Sequence, residues 1–157
     1  MTQPQYRYRK LDNRDALALR SFECADAGKW ALEIQDAIRT HVADRAVARP
    51  YGHGAFFGKT LVGVSTWQIA PQDQRIWLSS IIAVHRDHRR KGIATTLKKQ
   101  LIVLAKESGA VEVRSEIAFD NDAMMFVNRE LGAEITPHRA VFGPAQYVQA
   151  VIKIRQI

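Results

Sequence analysis

Four cations, Arg86, Arg89, Arg90 and Lys91, are crowded into one short stretch, and Gly92 and Ala94 follow at once. The apolar run Ile81-Ile82-Ala83-Val84 leads into them, and a helical spacing of Ile93, Leu97, Leu101 and Leu104 leads away. A helix start presents unpaired backbone N–H groups and the positive end of the peptide dipole, both of which suit a phosphate. Small residues at 92 and 94 let a ligand approach the main chain, and the cations add charge around the same point. The pattern predicts a site for a di- or polyphosphate at the end of a strand. A solvated basic turn capping a helix is the plainer reading of such a cluster.

The spacing decides between them. Arg89-x-x-Gly92-x-Ala94, after a strand ending in Val84, resembles the Gln/Arg-x-x-Gly-x-Gly/Ala signature of the GCN5-related N-acetyltransferase (GNAT) family. A second stretch, Asn121 to Ala133, resembles the family segment in which an Asn opens a helix that closes on Leu-Gly. The resemblance implies that Arg89 and the loop amides of Arg90, Lys91, Gly92, Ile93, Ala94 and Thr95 hold the pyrophosphate of coenzyme A. Asn121 would bond the pantetheine arm, or serve as a helix N-cap, or both. It also implies that the acyl thioester lies along the strand Ile82-Ala83-Val84, where a bulge frees N–H groups to polarise the carbonyl.

Family members often carry a Tyr as general acid seven residues after that Asn. Here the position holds Asn128, whose amide donates a hydrogen bond but delivers no proton at neutral pH. Many relatives carry a Glu four residues before the Val; here it is Ser80, able to position a water or simply small. Glu116, on the following strand, is the carboxylate nearest the expected site, with an ordinary solvent-facing role as its rival. Glu33 and Asp36 sit where such folds form an acceptor pocket. The mechanism implied is direct attack by a neutral amine on acetyl-CoA, the co-substrate, with a small-molecule amine or a peptide as acceptor. A CoA-binding module that has lost catalysis is the alternative, since Ser80 and Asn128 stand where acids or bases are common.

The elements that must place these residues are legible as a pattern. Tyr6–Leu11 reads as a strand, Asp12 or Asn13 as the cap of a short helix, and Trp30 to Ala48 as a second helix ended by Pro50, Gly52 and Gly54. Ala55–Phe57 and Thr60–Ile69 form a hairpin over Gly58-Lys59, and Arg75–Val84 is a third strand. A helix from Gly92 to Ser108, a strand Val111–Ile117 and a helix Asp122–Leu131 follow. Two strands, Glu134–Phe142 and Tyr147–Ile154, flank Gly143-Pro144. No linker or repeat divides 1–157, so one GNAT-like acyltransferase domain is expected. The fold class is α/β (α+β), and the resemblance implies a mixed, mostly antiparallel sheet flanked by about four helices.

Composition narrows the function further. With 157 residues, 46% hydrophobic and 25% charged, the chain is long enough to bury a core. A net charge of +7 favours anionic partners, yet the excess is scattered outside the loop, so nucleic acid is not the expected one. No membrane span or signal peptide is expected, and the single Cys24 allows no internal disulfide, so the expected compartment is the cytoplasm. His85 and His88 lack further ligands for zinc, and no metal is expected. Gly58-Lys59-Thr60 fails as a phosphate loop because His53 stands where its first glycine belongs. The terminal strands could pair across a homodimer.

Overall fold

A computed structural model describes residues 5–24, 29–43, 52–118, 121–139 and 146–155. Strands β1 (Tyr6–Lys10), β2 (Gly52–Phe57), β3 (Thr60–Ile69), β4 (Ile76–Val84), β5 (Glu112–Ala118), β6 (Glu134–Arg139) and β7 (Gln146–Lys153) hydrogen-bond in the order β1-β2-β3-β4-β5-β7-β6. Helices are α1 (Ala16–Arg20), α2 (Lys29–Ala37), α3 (Ile93–Glu107) and α4 (Asp122–Glu130). The sheet is mixed and mostly antiparallel, with β4 and β5 parallel, which is the expected fold class. Two compact units divide the chain, Met1–Thr66 with Ile81–Lys98, and Trp67–Ser80 with Lys99–Ile157.

In the first unit β1 and β3 flank β2 antiparallel. Asp12 caps a short 3-10 turn in a reciprocal capping box with Asp15, and α1 grows from it. Asp15 is buried and takes two bonds of 2.8 Å from Arg9, whose guanidinium lies 4.2 Å above the Phe56 ring. Helix α2 continues into a π-helical turn, Ile38–Val42. One face of the strands packs Leu11, Leu19, Phe22, Ile38, Phe56, Leu61, Val64 and Ala83 together; the other packs Ala55 and Val62 against Ile93 and Leu97 of α3.

Gly52 and Gly54 correct the sequence reading. They do not stop a helix but lie inside β2, where a Cβ on Gly54 would come within 2.7 Å of Leu11 and 2.9 Å of Leu61 and Phe56. Their missing side chains make room for the core rather than turning the chain. Residues 44–50, where the second helix was expected to end, and 140–145, around Gly143-Pro144, lie outside the described residues.

In the second unit Trp67 and Trp77 stack, centroids 6.0 Å apart, among Leu101, Ala105, Ala110, Val113 and Ile152. β7 lies antiparallel between β5 and β6, from Glu112↔Lys153 to Ala118↔Tyr147 on one side. No helix among the described residues is long and apolar enough to cross a membrane, and no three His, Cys, Asp or Glu side chains among them could hold a metal ion.

Lys98 of α3 is fully buried, and burial pushes its ammonium from the ordinary 10.5 down to about 8. Between these values the unfolded chain still holds a proton that the folded chain has released. Stability therefore rises with pH across that window, by on the order of 3 kcal/mol in all, and is lowest below pH 8. Thermal melts from pH 7 to 10 should show the rise in the native chain, and Lys98→Met should flatten it. A flat native profile would place the ammonium in water instead.

Candidate active site

The basic turn is built by the end of β4. The His85 amide makes the last tie to the sheet, donating to the Val62 carbonyl at 2.7 Å. Arg86–His88 then form a 3-10 turn in which the His85 Nδ1 accepts from the Asp87 amide at 3.2 Å, and the Tyr6 hydroxyl pairs with the His88 Nδ1 at 3.0 Å. Arg90 and Gly92 both take left-handed backbone, φ 59° and 76°. An L-residue there costs about 1–2 kcal/mol, so Arg90 marks a conformation held for a reason. In α3 the Thr96 amide is bonded to the Gly92 carbonyl at 3.0 Å, and the amides of Ile93, Ala94 and Thr95 before it have no carbonyl a turn back to reach. Arg90, Lys91 and Gly92 are exposed, and a Cβ on Gly92 would meet nothing within 4 Å. Two cations, Arg90 and Lys91, stand exposed beside this helix start, chemistry that takes up an anion. Arg89 also lies in the turn, but its guanidinium donates to the Cys24 carbonyl.

Strand β4 meets different neighbours along its length. The Ile76 carbonyl accepts from the Ala70 amide, and the ladder with β5 is regular from Ile76↔Glu112 to Ser79↔Ser115. Trp77 packs with Leu101 and Ala105 of α3. Further along, Ile82 and Val84 pack with Ile93 and Leu97, while Ala83 is buried and packs, with Ile81, in the cluster of Leu11, Phe22 and Phe56.

Of the candidate catalytic side chains, Ser80 is exposed on β4. Glu116 is exposed on β5, in register with Gln149. Asn128 is fully buried; its Nδ2 donates to the Met124 carbonyl at 2.8 Å and its Oδ1 has no partner. Asn121 is the N-cap of α4, its Oδ1 accepting from the Met124 amide at 3.2 Å, which leaves its Nδ2 to donate elsewhere. Asp36 is exposed, and the Glu33 side chain lies outside the described residues. Sequence reasoning missed the contacts of Phe22, Glu23 and Cys24 with Gln35, with Arg39 and with the turn, since no local motif marks partners up to 65 residues apart.

Residues 11–133 match the model of the Acetyltransferase (GNAT) family. No curated protein matches the chain. Its fold is similar to that of the ribosomal-protein-S18-alanine N-acetyltransferase from Escherichia coli, with TM-score 0.76 and 18% identity over 98% of this chain and 96% of that one. It is similar also to diaminobutyrate acetyltransferase from Paenibacillus lautus in complex with L-2,4-diaminobutyric acid and coenzyme A, with TM-score 0.67 and 16% identity over 99% of each chain. A third is the PaiA N-acetyltransferase from Thermoplasma acidophilum in complex with coenzyme A, with TM-score 0.71 and 15% identity over 92% and 98%.

Proposed function

The chain belongs to the acetyltransferase (GNAT) family, and from that premise we propose that it moves an acyl group, acetyl first among them, from acyl-CoA to a primary amine. The observation that carries this reading is the left-handed turn at Arg90 and Gly92 opening directly into α3. The turn is exposed, carries Arg90 and Lys91 and leads into the unpaired amides of a helix start, which supports a pyrophosphate there. The coenzyme A of the Paenibacillus and Thermoplasma proteins lends support.

Acyl-CoA supplies an activated thioester. The amides from Arg90 to Thr95 grip its pyrophosphate, and Asn121, its Oδ1 committed to the cap, offers Nδ2 to the pantetheine arm. Amides of β4 near Ile82 and Ala83 polarise the thioester carbonyl and stabilise the charge that develops there as the amine attacks. Glu116 takes the proton from the amine, directly or through a water that Ser80 positions. The proton for the thiolate comes from water, since Asn128 is fully buried and its Nδ2 is held by the Met124 carbonyl. The acceptor is a small-molecule amine or a peptide, bound by one acyltransferase domain spanning 1–157 in the cytoplasm.

Acetyl-CoA consumption and thiol release against a panel of amines, peptides and amino sugars tests the reading. Turnover with any acceptor supports it; failure to bind CoA overturns it. The full burial of Asn128, its Nδ2 already bonded to Met124, favours a second reading, a silent CoA-binding module, which predicts CoA binding without turnover across the panel. With an acceptor in hand, Glu116→Gln should lower kcat by about 100-fold with KM unchanged, and Ser80→Ala by less than about threefold. An unchanged kcat in Glu116→Gln would remove Glu116 from the mechanism.

A further inference from the structure

The three residues after α1, Phe22–Cys24, have no regular structure, yet they are held from two sides within the first unit. From α2 and its π-helical turn, the Gln35 Oε1 accepts from the Cys24 amide at 3.0 Å and the Arg39 Nε donates to the Phe22 carbonyl at 2.9 Å. From the loop that leads to the phosphate turn, Arg89 donates to the Cys24 carbonyl and Arg86 pairs with Glu23 at 3.1 Å. The His85 ring stands edge-on to Phe22, centroids 6.4 Å apart. Phe22 and Cys24 are buried, so these bonds are shielded from water; the Glu23–Arg86 pair is half exposed and the weakest member. A continuous path of hydrogen bonds thus runs from the loop beside Gly92 to α2. A wide helical turn such as Ile38–Val42 recurs at functional positions, and here it supplies one end of the path.

We propose that Phe22–Cys24 is a bridge coupling the phosphate turn to α2, with Gln35 and Arg39 as positioning residues for the acyl transfer. This rests on the acyl-CoA reading above. Anion binding fixes the loop from His85 to Gly92. Arg89 and Arg86 then fix the bridge, and the bridge fixes α2, which carries the exposed Asp36 toward a cationic acceptor. Coupling is reciprocal, so an acceptor held on α2 tightens acyl-CoA in turn.

Hydrogen exchange with and without CoA tests it, alongside CoA affinity by calorimetry. In the native chain CoA should slow exchange at 90–96 and also at 32–42, the latter by about fivefold or more. In Arg39→Met the protection at 90–96 should persist while the CoA-dependent change at 32–42 disappears. Glu23→Gln, at a half-exposed position, serves if Arg39→Met fails to fold, and should weaken the same change. If CoA protects 90–96 but leaves 32–42 unaltered in the native chain, the bridge does not couple. A purely structural Arg39 would also overturn it: exchange at 32–42 would rise without CoA and the CoA-dependent difference would remain. If CoA neither binds nor protects 90–96, the acyl-CoA reading fails and the coupling goes with it.

Discussion

A Gly92→Glu variant folds but loses at least about 1,000-fold in kcat/KM for acyl-CoA, roughly 4 kcal/mol of transition-state stabilisation. Sterics are not the reason, since a Cβ at this position meets no atom within 4 Å. The backbone, at φ 76°, charges any L-residue about 1–2 kcal/mol, which a domain of this size survives. What remains is a carboxylate placed among N–H groups that would otherwise receive phosphate oxygens. It repels the ligand and takes up the donors itself, and charge-assisted bonds are worth about 1.5–3 kcal/mol each. Gly92→Ala separates the two effects, because it shares the dihedral strain without the charge and should lose no more than about tenfold. Initial rates with circular dichroism as a fold control decide it. Equal losses in both variants would assign the effect to strained backbone rather than to an anion site.

Gly63→Val should destabilise the fold by about 3 kcal/mol and raise the KM for acyl-CoA together. Gly63 is in β3, and its backbone needs no left-handed conformation. Its service is space: a Cβ would stand 2.8 Å from the Ile93 Cγ2, 3.1 Å from the Ala55 Cβ and 3.2 Å from the Leu97 Cδ1. Ala55 is a rigid neighbour in β2, so the element that gives way is the first turn of α3. That turn carries the amides of Ile93, Ala94 and Thr95, and a shift of about 1 Å there misplaces every donor. Urea midpoints measure the first effect and saturation kinetics the second. Unaltered stability would mean that β3 and α3 are not in close contact.

The turn that opens into α3 was legible in the sequence because its signals are local. Gly92, at φ 76°, punctuates it, and Ile93, Leu97 and Leu101 announce the helix that follows. The element order was legible for the same reason, through apolar periodicity and caps such as Asp12 and Asn121. Gly52 and Gly54 were misread because a glycine under a crowded core and a glycine in a turn are the same letter. The Phe22–Cys24 contacts were out of reach altogether, because a backbone carbonyl accepting from a distant guanidinium leaves no trace in composition or spacing.

The room left by Gly54 makes β2 a strand that tolerates no ordinary replacement at its centre. Even alanine would bring a Cβ within 3 Å of Leu11, Leu61 and Phe56 at once, and these three belong to one buried cluster that also holds Ala83 of β4. One methyl group would press on that cluster from inside without altering a charge or a hydrogen bond. What this position contributes is emptiness, and nothing larger than a hydrogen atom can supply it.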